Sequence, residues 1–271
     1  AKNNILEGVS KMEELAAAAK LRTSAANKLK EVMDISSTIN WCGINGDTMQ
    51  AKINSASLAL GAGELTAAEI DALYSEVSAL AEKNNDVCYM IGASNFRDTP
   101  MHLWYFEPAQ YNSTAGYING YSDASGNPTG NFGPSDSTLR VEALAMAMRM
   151  FGIPAGAAGA VPAGFVGVQA WGTSYVNGAL GHGFGLRTDV DWAQPITRAE
   201  SAELFANIGR DNITLPTTVT YADDYKDYAA FSGNPTQALA VDALTELSVF
   251  QGFQGNFNPN ASLLRSEFAT V

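Results

Sequence analysis

The stretch GNFGPSDSTLRVE at 130–142 recurs at 255–267 as GNFNPNASLLRSE, without a gap and with eight identities in thirteen positions. A chain that writes the same sentence twice is built from duplicated units, and that constrains its fold more than any composition figure. A third, more divergent copy of the Arg-x-Glu ending stands between them in PITRAE at 195–200. The arginines of the three copies, Arg140, Arg198 and Arg265, are spaced by 58 and 67 residues, which sets a unit of about 55–65 residues.

The units share further landmarks. Phe96-Arg97-Asp98 opens 44 residues before Arg140, Tyr221-Ala222-Asp223 opens 44 before Arg265, and Phe165 opens the shorter middle copy 33 before Arg198. Gly-aromatic pairs follow at Gly120-Tyr121, Gly252-Phe253 and, more weakly, Gly183-Phe184. Each unit therefore reads as an aromatic opening, a helix, a Gly-aromatic loop, an extended stretch and a second helix starting at the arginine. Two helices cannot bury their apolar faces alone, so three such units are expected to pack about a shared axis.

Residues 1–90 follow a different pattern. Ile5, Val9, Met12, Leu15, Ala19, Ala26, Leu29 and Val32 recur at helical spacing, MQAKINSASLAL continues the pattern, and Thr66-Ala-Ala-Glu69 is a capping box before AEIDALYSEVSALAEK. This predicts a three-helix bundle. The expected fold is mainly α, with a helical bundle at 1–90 and helix-loop-helix repeats at 91–152, 153–210 and 211–271. The last helix should be short, because Val271 lies six residues beyond Arg265. The Gly/Ala/Pro run at 152–168 reads as a linker.

Composition removes several function classes. A formal net charge of -12 argues against duplex nucleic acid, which needs clustered cations. No apolar run reaches the roughly 18–20 residues of a membrane span. The first residue is Ala1 rather than Met, an end compatible with a removed signal peptide. Cys42 and Cys88 admit three readings: two buried thiols, one disulfide, or a catalytic thiol, the last opposed by the absence of a suitably spaced histidine. Asp123-Ala-Ser125-Gly-Asn127 imitates the start of a calcium loop, but Pro134 falls where the bidentate Glu belongs, so no metal is expected. Neither a carboxylate pair nor a Ser/His/Asp set can be picked out, and the expectation is a protein that is not an enzyme and needs no cofactor.

Together the aromatic-x-Asp openings, GYINGYSD, NFGP, LRVE, PITRAE, GFQGNFNP and LLRSE resemble the S-layer homology repeats of bacterial surface proteins, over about residues 96–271. The resemblance implies a pseudo-threefold assembly with a central three-helix bundle and grooves between neighbouring repeats. It implies that the grooves bind a secondary cell-wall polysaccharide, often through a pyruvylated sugar, and hold the protein on the outside of the cell. Peptidoglycan and further copies of the chain in a surface layer are additional partners to consider. The sequence departs from the family pattern at four positions. Leu139 and Leu264 replace the motif threonine, so only Thr197 can complete a capping box. Gly167 replaces the opening Asp of the middle copy, and Gln254 stands where the third loop would have Asp.

The chemistry behind the motif is legible. A helix N-terminus favours an anion, and a guanidinium is a flat, permanently charged fork for a carboxylate. Arg140, Arg198 and Arg265 are therefore the candidate sugar contacts. Trp104, Tyr121, Trp171 and Phe253 offer flat faces, Asn131 and Asn256 offer hydroxyl partners, and Asp123 and Gly252 belong to the loops. Glu142, Glu200, Glu267, Thr197, Asp98 and Asp223 read as caps or turn residues. Two other readings compete: the arginines bridge one repeat's helix to the next repeat's loop, and the whole acts as a structural lattice or adhesion module through protein contacts.

Overall fold

A computed structural model describes residues 17–30, 33, 46–62, 65–90, 92, 94–101 and 103–271, with two compact units: residues 1–110 with 122–132, and residues 111–121 with 133–271. The described residues are mainly helical and contain only isolated β-bridges. The division runs through the stretch 91–152.

In the first unit, α1 (17–30), α2 (Gly46–Ala62) and α3 (Ala67–Met90) pack around Leu29, Ile53, Ala56, Ile70, Val77 and Ala81. Helical spacing gathers these side chains onto one stripe per helix, and their removal from water is what holds so alanine-rich a bundle together. The predicted capping box starts α3: Thr66 N donates to Glu69 Oε2 at 2.8 Å and Glu69 N donates to Thr66 Oγ1 at 3.3 Å. Cys88 is buried and disulfide-bonded, whereas Cys42 lies outside the described residues, as does His102. Beyond α3, Phe96 packs on Phe132 at 5.2 Å, and Asp98 Oδ1 accepts from Phe132 N at 2.7 Å.

The other helices are α4 (Phe106–Thr114), α5 (Arg140–Met150), α6 (Thr173–Gly181), α7 (Arg198–Ile208), α8 (Pro235–Glu246) and α9 (Arg265–Phe268). As expected, each of the three arginines is the first residue of a helix. In the second unit α5 packs on α6 and α7, α7 packs on α8, and Phe268 of α9 meets Phe205 of α7 at 5.2 Å. The inward faces are small, with Ala143, Ala147, Ala199, Ala202 and Ala206 buried, which lets the helices approach closely.

The 152–168 run is not a linker. Ile153, Val161, Phe165 and Val168 pack on the same core as Val141, Leu144 and Val176. Gly178 of α6 makes this possible: a Cβ there would lie 2.6 Å from Gly156 N and 2.7 Å from Pro154 O. The helix thus accepts the neighbouring backbone directly against its own, a contact that only a missing side chain permits.

Candidate functional site

The residues before each arginine run extended and join in a closed ring. Ile196 N donates to Thr138 O at 2.8 Å, Leu263 N to Ile196 O at 3.1 Å, and Thr138 N to Leu263 O at 2.8 Å. Isolated antiparallel bridges Ser137–Leu264, Leu139–Pro195 and Thr197–Ser262 flank these bonds in the same cyclic order. Each segment gives a donor to one neighbour and an acceptor to the other, so no edge is left over.

The ring also consumes the helix termini. The first N–H groups of a helix have no intrahelical partner, yet here Arg140 N donates to Gln194 O, Arg198 N to Ala261 O and Arg265 N to Asp136 O, at 3.0, 2.9 and 2.8 Å. Val141, Ala199 and Ser266 donate in turn to the carbonyls of Trp192, Pro259 and Pro134. The helix-terminal half of the expected anion clamp is therefore already engaged by backbone, and any anion recognition falls to the guanidinium groups.

All three capping glutamates reach back over their own turn. Leu139 N, Thr197 N and Leu264 N donate to Glu142, Glu200 and Glu267 at 2.9, 3.0 and 2.8 Å. Only Thr197 returns a side-chain bond, accepting from Glu200 N at 3.3 Å.

The three guanidinium groups differ. Arg140 makes a bidentate pair with Glu200, with Nη2 2.8 Å from both oxygens, and the side chains are only 15% and 13% exposed. Arg265, 5% exposed, faces Glu142 at 3.2 Å, donates to Asn119 O at 3.1 Å and lies 4.5 Å over the Tyr121 ring. Burial pushes the Tyr121 phenol up to about 12, with the Arg265 charge pulling the other way. Arg198 has no carboxylate within ion-pair distance among the described residues. It donates to Phe257 O at 2.9 Å and Gln251 O at 3.0 Å and lies over the rings of Phe250 and Phe257 at 5.4 and 5.1 Å. Burial draws its guanidinium below the ordinary arginine range, with Glu267, Tyr225 and Asp227 opposing.

The other sequence candidates fall in separate places. Gly252 and Phe253 follow Gln251 directly; a Cβ on Gly252 would run into Tyr225, and Phe253 is 70% exposed. Asn256 closes that loop by exchanging backbone bonds with Phe253. Trp171, 45% exposed, stands edge-on to Tyr175, and its indole donates to Gln169. Trp104, Asp123 and Asn131 belong to the first unit. Trp104 is exposed against Tyr105, Asn131 is exposed, and Asp123 Oδ1 accepts from Ser125 N and Asn127 N to shape a tight turn.

Two registers read from the sequence need correction. The counterpart of Phe96-Arg97-Asp98 in the last copy is Tyr225-Lys226-Asp227, four residues beyond Tyr221-Ala222-Asp223. Asp227 accepts from Phe257 N at 2.8 Å as Asp98 accepts from Phe132 N, and Lys226 N donates to Gly255 O as Arg97 N donates to Gly130 O. Asp223 is exposed in a short 3-10 turn. The second correction concerns Gly183-Phe184, which ends α6 rather than forming the loop: Gly183 has φ +74°, matching Gly116 at +77° and Ser248 at +58° after the other first helices. Four residues on from each lie Gly120, Arg187 and Gly252. In the middle copy Gly167 leaves the space that Asp191 fills from the facing segment, since a Cβ would collide with its carboxylate.

Arg187 was invisible in the sequence as a site residue. With Arg140, Trp192, Glu200, Glu203 and Asn207 it lines a cleft of about 40 Å³. Its Nη1 reaches Glu200 Oε1 at 3.2 Å and its Nη2 reaches Asp189 at 2.8 Å. No group of three or more metal-ligating side chains gathers among the described residues.

Residues 233–269, which run from α8 through the Gly252 loop and the ring to α9, match the family model of the S-layer homology domain. The chain carries an S-layer homology domain. No curated protein matches the sequence. S-layer homology domains anchor surface proteins to the cell wall by binding cell-wall polymers, which associates this chain with the cell surface or wall. No helix among the described residues is long and apolar enough to cross a membrane.

Proposed function

We propose that the protein is a non-catalytic anchoring module that grips an anionic cell-wall polysaccharide, that all three copies belong to the S-layer homology family, and that the working groove is the one holding Arg198. The observation that carries this reading is the missing carboxylate. Arg140 and Arg265 are each neutralised by a glutamate of another copy, whereas Arg198 is partly buried with carbonyl partners only. A partly desolvated cation that feels Glu267 and Asp227 only from beyond ion-pair distance has room to gain from an incoming carboxylate, such as a uronic acid or a pyruvyl ketal would bring. Phe253, two residues beyond the Gln251 carbonyl that Arg198 holds, supplies an exposed ring for a sugar face, and Gly252 and Asn256 belong to the same loop.

Co-sedimentation with purified cell walls, intact and stripped of their polysaccharide, tests the proposal. The chain should pellet with intact walls only, and Arg198→Ala should weaken binding by about tenfold or more, the loss of one charge-assisted contact. Full binding by Arg198→Ala would remove the groove from consideration. The second reading, a structural lattice or adhesion module, draws support from the internal pairing of Arg140 and Arg265. It predicts self-assembly without walls and no dependence on the polysaccharide.

A further inference from the structure

The cleft of the middle copy is built differently from its counterparts. Arg187 occupies the loop position held by Gly120 and Gly252 in the other copies. The loop is fixed at both ends, because Asn207 Nδ2 donates to Gly185 O at 2.7 Å and Trp192 Nε1 donates to Arg187 O at 3.1 Å. That anchorage directs the Arg187 side chain to Glu200 Oε1, the same oxygen that Arg140 Nη2 contacts at 2.8 Å. Two guanidinium groups thus converge on one carboxylate above an apolar floor of Leu186, Trp192, Ile196 and Leu204. Arg140 presents its fork to that carboxylate and Arg187 adds Nη1, while Asp189 holds the Nε and Nη2 of Arg187 at 3.0 and 2.8 Å. A carboxylate met by two guanidinium groups over apolar side chains is the arrangement that recognises a carboxylated sugar.

We infer that Arg140 and Arg187 form a second carboxylate-binding site whose occupant is the chain's own Glu200, so the cleft excludes an anionic sugar until that carboxylate is neutralised. The inference takes its ligand class from the proposed wall-polysaccharide function, but the geometry concerns a different groove from that of Arg198. Glu200→Gln tests it while keeping the capping acceptor, since a glutamine oxygen can still accept from Thr197 N. Because the substitution removes the charge that partners Arg140, urea unfolding first checks that the variant stays folded.

The probe is glucuronate, with glucose as the neutral control, added to the full chain while the indole N–H resonance of Trp192 is followed by NMR. In the wild type glucuronate should leave the resonance in place. In Glu200→Gln it should shift it saturably, with affinity at least about tenfold above wild type, and glucose should not. Adding Arg187→Gln to that variant should weaken the response again. A wild-type shift equal to that of the variant overturns the inference, as does a folded Glu200→Gln that ignores glucuronate. The wild-type titration stands alone if the variant fails to fold. Loss of the wall-sedimentation result would count against the Arg198 groove and leave this one untouched.

Discussion

At the scale of single residues, the three arginines show how one motif serves different ends. Arg265 is nearly fully buried, so the Glu142 charge facing it counts for more than any surface pair. Replacing one member of a buried pair strands the other, and such losses run to roughly 3–5 kcal/mol. Glu142→Gln keeps the shape and the capping acceptor but removes the charge, so equilibrium urea unfolding should show a loss of about 3 kcal/mol. Arg198→Ala strands no carboxylate and should cost much less, although both substitutions fall in the same ring. The Arg187–Asp189 pair is different again, with the aspartate side chain 68% exposed. Its partners hold the Asp189 carboxyl below the usual range through hydrogen bonds from Arg187, yet solvent screening leaves little stability to lose there.

At the scale of elements, helix starts were the most legible feature. A glutamate at the third helical position and an extended residue before the arginine are local signals, and α5, α7 and α9 begin where those signals placed them. What the sequence concealed depends on distant partners. YADDYKD contains two aromatic-x-Asp triplets four residues apart, and only the bonds from Phe257 N and Asn258 N identify Asp227 as the clamp. Asp227→Ala strands two backbone donors and should destabilise by about 1–3 kcal/mol, while Asp223→Ala should stay within about 0.5 kcal/mol of wild type in the same melt. Equal effects would restore the earlier register. The 152–168 run looked like a linker because its structure rests on a backbone contact across Gly178. Arg187 stayed hidden for a similar reason: its meaning lies in Glu200 and in Arg140, which is 60 positions from Glu200.

At the scale of the whole chain, a ring closed by backbone bonds can lose its chemical symmetry without losing its shape. The bonds joining Thr138, Ile196 and Leu263 need no particular side chain, so the copies are free to diverge around them. One guanidinium faces a neighbour's glutamate, one shares its glutamate with a loop arginine, and one is left to carbonyls. A pH limit arises separately in each of the two units. Burial raises the Tyr105 phenol, in the first unit, and the Tyr121 phenol, in the second, from 10.0 to about 12. The folded state therefore favours the neutral phenols more than the unfolded chain does. Their contribution is complete below pH 10, the ordinary value, and is lost as the pH climbs towards 12. Melting temperature should accordingly fall across that interval, and Tyr105→Phe and Tyr121→Phe should each flatten the fall by removing one ionisation. If both variants lose stability with pH as steeply as wild type, another group sets the alkaline limit. If only Tyr121→Phe flattens it, the second unit sets that limit.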